Sequence, residues 1–267
     1  MKIAVMNLAL IVTEKCNLNC GHCLRGGCSD KCMSDEVIDA TLSQFCHIHN
    51  LAICGGEVTL ALDRIEKIFS YIIDNNISVD MVTLIINGTI YSDEFLKLLD
   101  EIDGYINFDG LRKSISTFTI SSDKYHDKEI NRLGIRDMYL GNVEHYRESR
   151  HFYGLQKLRG KLIREGNANE LSRFLSKDFH PMRTLITYMG QDYGFDRDGI
   201  CFIGPFVTVN VDGNITECDS SIEHQRNLYN YGNVLVDSIE DVCLERGKVF
   251  TNYKKWLREN AKEFRKY

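Results

Sequence analysis

Two hydrophobic periods alternate along the first two thirds of this chain. Residues 3–12 form a nearly unbroken apolar run, with Ile3, Val5, Leu8, Leu10, Ile11 and Val12 suited to a buried strand. Ser34 follows as a helix cap, with Asp35 and Glu36 in the first turn. Val37, Ile38, Thr41, Leu42, Phe45 and Cys46 make that helix's apolar stripe. A short apolar run over 51–54 ends at Gly55-Gly56. Helical phase returns over 61–75 through Leu62, Ile65, Ile68, Phe69 and Ile72. Residues 81–86 read as a strand closed by Asn87-Gly88, 92–102 as a third helix, and 115–120 as an alternating strand ending in Ser121-Ser122-Asp123. Residues 152–164 carry a helical pattern and 185–189 a strand pattern.

Strand and helix in repeated alternation specify an α/β fold with a parallel sheet or barrel, whose sites gather at the C-terminal ends of the strands. Four segments fall at such ends: 16–23, 55–57, Asn87 and 121–123. Past residue 200 the pattern changes. Residues 206–211 and 215–218 flank Asp212-Gly213, a hairpin-turn signal, and 238–249 read as a helix. This change sets a boundary near 190, giving segments 1–190 and 191–267.

Composition narrows the class. With 43% hydrophobic and 26% charged residues, the 267-residue chain is an ordinary globular one. A net charge of -6 provides no global field for nucleic acid, which is not expected as a partner. The last seventeen residues hold six basic side chains against Glu259 and Glu263, and read as a docked amphipathic helix with a solvated basic face. The alternative there is a contact for an acidic partner. No run approaches the ~20 apolar residues of a membrane helix. The opening run lacks a small-residue cleavage site before Thr13-Glu14-Lys15, so a cytoplasmic location is expected. In that compartment the ten cysteines are not a disulfide framework.

Seven cysteines lie between 16 and 54, and three more are Cys201, Cys218 and Cys243. Cys16, Cys20 and Cys23 stand with three and then two residues between them, on a loop after a strand. Thiolates spaced this way can converge on one soft metal centre, and three ligands leave one iron of a four-iron cluster open. The spacing resembles the CxxxCxxC signature of the radical SAM enzymes, with His22 just before the last cysteine. Gly55-Gly56-Glu57 resembles the family's GGE motif. Asn87-Gly88-Thr89 resembles the end of its third strand, with Ile86 where threonine is usual. Ser121-Ser122-Asp123 with His126-Asp127 resembles its fourth-strand motif, and Gly166-Asn167-Ala168 echoes a later GRA-type segment. The order of these matches carries the resemblance, which covers roughly residues 5–130.

The resemblance implies a partial (β/α)6 barrel similar to a TIM barrel, with a small hairpin-plus-helix extension. It implies a [4Fe–4S] cluster on Cys16, Cys20 and Cys23, and S-adenosylmethionine on its open iron. Cleavage of that cofactor gives a 5′-deoxyadenosyl radical that abstracts a hydrogen atom from a substrate. His22 is then expected near the adenine. Glu57 is expected to accept the methionine ammonium, with Gly55 and Gly56 beside it. Asn87, Ser122 and Asp123 complete the cofactor set. Against this stand blander readings. Cys16, Cys20 and Cys23 with Cys28 or Cys32 could close a zinc site. Glu57 could be a surface acid, Ser122 and Asp123 an ordinary cap, and His126 a local hydrogen-bonding residue.

Cys201, Gly213 and Cys218 resemble the first half of the SPASM or twitch extension, in which two cysteines help to bind an auxiliary Fe–S cluster. Cys243 could be a third ligand or a buried structural thiol. Cys28 and Cys32 read as a further metal pair or as incidental thiols, and Cys46 and Cys54 as core residues. The extension points to a peptide or protein substrate. The alternatives are a small molecule or nucleotide, a glycyl-radical partner protein, or a non-catalytic Fe–S or zinc module. A radical SAM enzyme also implies an electron donor such as flavodoxin or ferredoxin.

Overall fold

In β1 (Lys2–Thr13) the side chains of Leu8, Ala9, Leu10 and Val12 are all fully buried, because neighbouring strands flank it on both edges. The computed structural model describes residues 2–106, 116–157, 161–172, 176–178, 180–181, 184–189 and 200–250. β1 is followed by α1 (Asp35–Leu42), β2 (Phe45–Gly55), α2 (Leu62–Asp74), β3 (Ser78–Ile86), α3 (Asp93–Ile106) and β4 (Thr117–Ser121). Then come α4 (Lys124–Arg132), α5 (Arg136–Arg147) and β5 (Phe152–Gln156). The five strands lie side by side in chain order, all parallel. This is the α/β architecture of a partial barrel.

Helices cover one face. On α2, Ile65, Ile68, Phe69 and Ile72 are buried at the i, i+3, i+4, i+7 spacing, and they share a core with Leu51, Ile53, Val82 and Leu84 of the sheet. Each such side chain contributes roughly 1.5–3 kcal/mol by leaving water. The other sheet face is partly polar. Asn7 donates to the Pro205 carbonyl at 2.7 Å, Asn50 to Asn7 at 3.0 Å and Thr83 to Asn50 at 3.1 Å, which ties three adjacent strands together.

The C-terminal part joins the same sheet. A small pair, β6 (Leu162–Ile163) and β7 (Ser176–Lys177), stands apart from it. β8 (Leu185–Met189) runs antiparallel to β9 (Ile200–Gly204), and β9 pairs with the start of β1. β10 (Val207–Val209) pairs further along the same edge of β1 and turns back as β11 (Ile215–Thr216), which is the hairpin expected at Asp212-Gly213. α6 (Ile222–Arg226), α7 (Ile239–Arg246) and β12 (Lys248–Phe250) complete the described chain.

Three expectations change. Phe45 and Cys46 open β2 rather than close a helix, because Phe45 pairs with Ile3 of β1 and, past an irregularity at Cys46, His47 pairs with Ala4. Residues 152–156 are a strand, since β4 offers them a parallel ladder. The last helix stops at Arg246, and 248–250 pair with β8 instead. The basic C-terminal helix expected after 250 lies outside the described residues. Among the described residues, no helix is long and apolar enough to cross a membrane.

Candidate active site

Cys16, Cys20 and Cys23 follow the C-terminal end of β1 as half-buried free thiols. The Cys23 amide donates to the Cys20 carbonyl at 3.0 Å, and Gly26 to the Cys23 carbonyl at 3.2 Å, which curls the loop on itself. Burial pushes the Cys16 thiol up to about 11 and the Cys20 thiol to about 12. The negative charge of neighbours adds to this: Glu57 and Cys23 act on Cys16, and Cys16, Cys23, Glu129 and Asp123 on Cys20. Three half-buried sulfur donors on one loop, none in a disulfide, are a donor set that suits a cationic iron–sulfur centre.

Other strand ends hold this loop in place. The Gly56 amide donates to the Thr13 carbonyl at 2.8 Å and the Glu57 amide to the Lys15 carbonyl at 2.7 Å. The approach is so close that a Cβ on Gly56 would sit 2.2 Å from the Lys15 oxygen, and one on Gly55 2.6 Å from the Thr13 oxygen. The paired glycines are therefore required by backbone laid on backbone.

Glu57 is only 1% exposed and its carboxylate points into the protein. Oε1 accepts from the Thr59 amide at 3.1 Å and its hydroxyl at 2.6 Å, and Oε2 from the Asn87 amide at 2.6 Å. Burial raises its pKa, and the three hydrogen bonds oppose that rise. The side chain that the resemblance expects to receive an ammonium thus also braces two strand ends.

Asn87 in turn reaches the cysteine loop. Its Nδ2 donates to Asn17 at 2.8 Å and lies 4.0 Å from the Cys16 sulfur. Its Oδ1 accepts from the amide and hydroxyl of Thr89. Asn17 closes the ring by donating to Thr89 at 2.7 Å.

At the end of β4, Asp123 does two jobs. Oδ1 caps α4 by accepting from the Tyr125 and His126 amides at 2.8 and 3.1 Å, and Oδ2 lies 3.0 Å from His22 Nε2. Burial opposes its ionisation, but the His22 contact and the two amides outweigh that and hold Asp123 down at about 2. The His22 ring stacks on Tyr125, with centroids 4.9 Å apart. Ser122 donates its amide to the Gln156 carbonyl of β5 at 3.0 Å. His126 is buried, and its pKa falls with that burial.

The Gly166-Asn167-Ala168 segment also reaches the loop. Asn167 donates its amide to the Cys23 carbonyl and its side chain to the Cys20 carbonyl, both at 2.9 Å. Gly166 has φ of +54°, and a Cβ there would lie 2.4 Å from the Gly26 nitrogen and 2.5 Å from the Cys23 oxygen. Four supports were given no role by the sequence motifs: Asn17, Glu129, Arg25 and Asn167. Glu129 accepts from the Asn19 amide at 3.1 Å. Arg25 donates to the Cys218 and Ser220 carbonyls at 2.7 and 3.1 Å. Only Asn17 and Asn167 had a local cue, by sitting inside a motif.

Beside His22 and Asp123 opens a cavity of about 480 Å³, bordered also by Cys23, Lys157, Lys161 and Lys177. The lysines had no motif to announce them.

Cys201 and Cys218 have separate surroundings. Cys201 faces Ile3 in the β9–β1 register and is fully buried, with Cys243 and Glu240 among its electrostatic neighbours. Thr216, two residues before Cys218, pairs with Thr208, which pairs with Ala9. That is six residues, roughly 20 Å, further along β1 than Cys201. Cys218 meets Cys54 and Arg25 instead. Cys54 is consequently not a core thiol. It lies 3.6 Å from Arg25 Nη2, and a hydrogen bond from Cys218 together with the Arg25 charge holds it below its ordinary pKa against burial.

Comparison with known proteins gives consistent findings. The family described as the Radical SAM superfamily matches residues 10–154. A probable GTP 3′,8-cyclase of Pyrococcus abyssi is 30% identical over 184 residues, 65% of this chain and 54% of that protein. An uncharacterized protein of Methanocaldococcus jannaschii is 31% identical over 114 residues, 39% of each chain. The chain thus spans about half or less of the length of the curated relatives it matches. Native anSMEcpe with bound AdoMet aligns at a TM-score of 0.54 with 14% identity, over 91% of this chain and 82% of that one. The same protein with bound AdoMet and Kp18Cys peptide gives 0.54 and 14%, over 89% and 80%. At that identity the likeness is one of fold.

Proposed function

The chain belongs to the radical SAM superfamily, and from that premise we propose that it is an enzyme holding a [4Fe–4S] cluster on Cys16, Cys20 and Cys23. S-adenosylmethionine is its co-substrate, and a peptide or protein its target. The observation that carries this reading is the meeting of three further strand ends on the loop that follows β1. Gly56 and Glu57 of β2's end, Asn87 after β3, and His22 against Asp123 after β4 all brace the segment from Thr13 to Cys23.

When bound, the cluster supplies the electron that cleaves S-adenosylmethionine to methionine and a 5′-deoxyadenosyl radical, which takes a hydrogen atom from the substrate. The protein's own residues supply position and dryness. Glu57 fixes the Asn87 amide and the turn after it. Asn87 and Asn17 hold the first cysteine. Asp123 fixes His22, and so the backbone between Cys20 and Cys23. Gly55 and Gly56 leave backbone room beside the loop. The cavity next to His22 is the place for the nucleoside and for the substrate that meets it.

The peptide assignment draws on the β10–β11 hairpin and on the fold shared with a protein solved with a peptide bound. A nucleotide or other small anionic substrate is the second reading. Lys157, Lys161 and Lys177 around the cavity favour it, as does the relative named a probable GTP cyclase.

The deciding experiment is anaerobic reconstitution followed by dithionite and S-adenosylmethionine, with 5′-deoxyadenosine scored by mass spectrometry. Product from the wild type, and none from a Cys16→Ala, Cys20→Ala, Cys23→Ala variant, is expected. No product from fully loaded, reduced protein, with peptide and nucleotide pools supplied, would overturn the reading.

A further inference from the structure

We propose that the chain carries a second metal site, for a zinc-like divalent cation, at the opposite end of the strands from the cysteine loop. Its ligands are His47 and His49 of β2 and Asp80 of β3. One ligand atom from each lies within 4.8 Å of the others. His47 Nε2 is 3.3 Å and His49 Nδ1 2.8 Å from the same oxygen, Asp80 Oδ2. Zinc bound at about 2.0–2.2 Å in a tetrahedron needs donors about 3.4 Å apart, close to the His47–Asp80 separation, so closing the site requires the His49–Asp80 pair to open by about 0.6 Å and the three donors to settle around the ion.

The strands make this trio rigid. His47 and His49 are two residues apart on β2, so the pleat aims both the same way. Asp80 follows Val79, which pairs with Ile48, and so stands beside them. The second nitrogen of His47 is also engaged: Nδ1 lies 3.1 Å from the Ser78 hydroxyl, which fixes the ring with Nε2 turned to Asp80. A partner of that kind is how metal-binding imidazoles are oriented. The site opens to solvent, with side-chain exposures of 22% at His47, 48% at His49 and 18% at Asp80, so a hydrated ion can enter and keep a water as its fourth ligand. Imidazole and carboxylate donors suit zinc, unlike the all-thiol loop some 23 Å away along β2. Bound there, the ion staples β2 to β3.

The test uses the reconstituted protein with its iron loaded. It is equilibrated with a slight excess of zinc and desalted, and zinc and iron are counted by mass spectrometry. Wild type is expected to keep one zinc that a His47→Gln, His49→Gln variant loses, with iron equal in both. Zinc is also expected to raise the unfolding temperature of wild type and not that of the variant. Ser78→Ala is expected to weaken zinc binding about 10- to 100-fold. Equal zinc in wild type and the double variant would overturn the proposal, because other thiols would then account for the metal. A wild type that keeps no zinc would overturn it as well. Asp80→Asn gives an independent check, since the amide preserves size and a hydrogen bond but removes the charge.

Discussion

Glu57 Oε2 accepts the backbone amide of Asn87 at 2.6 Å, across the gap between the ends of β2 and β3. The carboxylate is buried and takes two further hydrogen bonds from Thr59. Glu57→Ala therefore leaves buried donors without an acceptor, at about 1–3 kcal/mol for each. We expect a fall in unfolding temperature of several degrees and a lower iron content after reconstitution. Glu57→Gln keeps one acceptor oxygen but turns an NH2 toward a donor, so it should recover only part of the stability. Equal iron and equal stability in wild type and Glu57→Ala would refute the bracing role.

Backbone contact makes the glycines separable by experiment. Gly56→Ala and Gly166→Ala both place a methyl less than 2.5 Å from backbone atoms of the cysteine-loop segment. Each should cost about 1–3 kcal/mol and reduce iron retention. Gly104, within α3, meets nothing within 4 Å, so Gly104→Ala should gain about 0.5–1 kcal/mol and leave iron unchanged. Denaturant midpoints and iron counts on the three variants check this together.

Asp123 sets a pH dependence. Its folded pKa of about 2 lies below the ordinary 3.8. The unfolded chain thus binds more protons between those values, and stability rises with pH through that window. The contribution is present above pH ~4 and is lost as pH falls toward ~2; it amounts to roughly 2 kcal/mol. Denaturant titration of the iron-free chain should show this acid loss, and Asp123→Asn should flatten it. An unchanged slope in the variant would rule out the His22 contact as its origin.

The two late cysteines give a sharp iron count. Cys201 lies in the core beside Ile3, while Cys218 meets Cys54 and Arg25. Cys201→Ala is expected to leave iron per chain unchanged and to lower stability by the cost of a small cavity. A loss of iron in that variant would establish an auxiliary cluster and require a different arrangement of β9.

Lys157, Lys161 and Lys177 separate the two substrate readings. Replacing all three with alanine should raise KM for an anionic small substrate at least tenfold and flatten its salt dependence. Cleavage of S-adenosylmethionine without substrate should persist. If a peptide is turned over and its KM does not move, the peptide reading gains.

Much of this was legible in the sequence, for physical reasons. The outer sheet face and α2 show their burial period openly, since Leu51, Ile53, Ile65, Ile68 and Ile72 must all leave water together. The cysteine spacing and Gly55-Gly56 were visible because close approach tolerates few residue types. The first half of β2 was hidden. His47, His49 and Asn50 break its apolar run, and only pairing with β1 makes a strand of them. β5 was hidden for the same reason, since its ladder comes from β4. The bracing bonds of the Glu57 side chain were not legible, because a motif gives position but not direction. Asn167 is more than 140 residues from Cys20 in sequence, and a hydrogen bond over that separation leaves only a faint local trace.

The shared edge of β1 has a consequence for how the chain can be cut. β1 is the longest strand described, and β9 and β10 occupy one of its sides, over Lys2–Val5 and Leu8–Leu10. A fragment ending at residue 190 would keep Cys16, Cys20 and Cys23 yet present that side as a bare row of amides and carbonyls. Such an edge recruits other chains, so the fragment should precipitate or pair with itself. The strand that leads into the cysteines is thus completed by the last quarter of the protein, and neither segment is a module that could be exchanged alone.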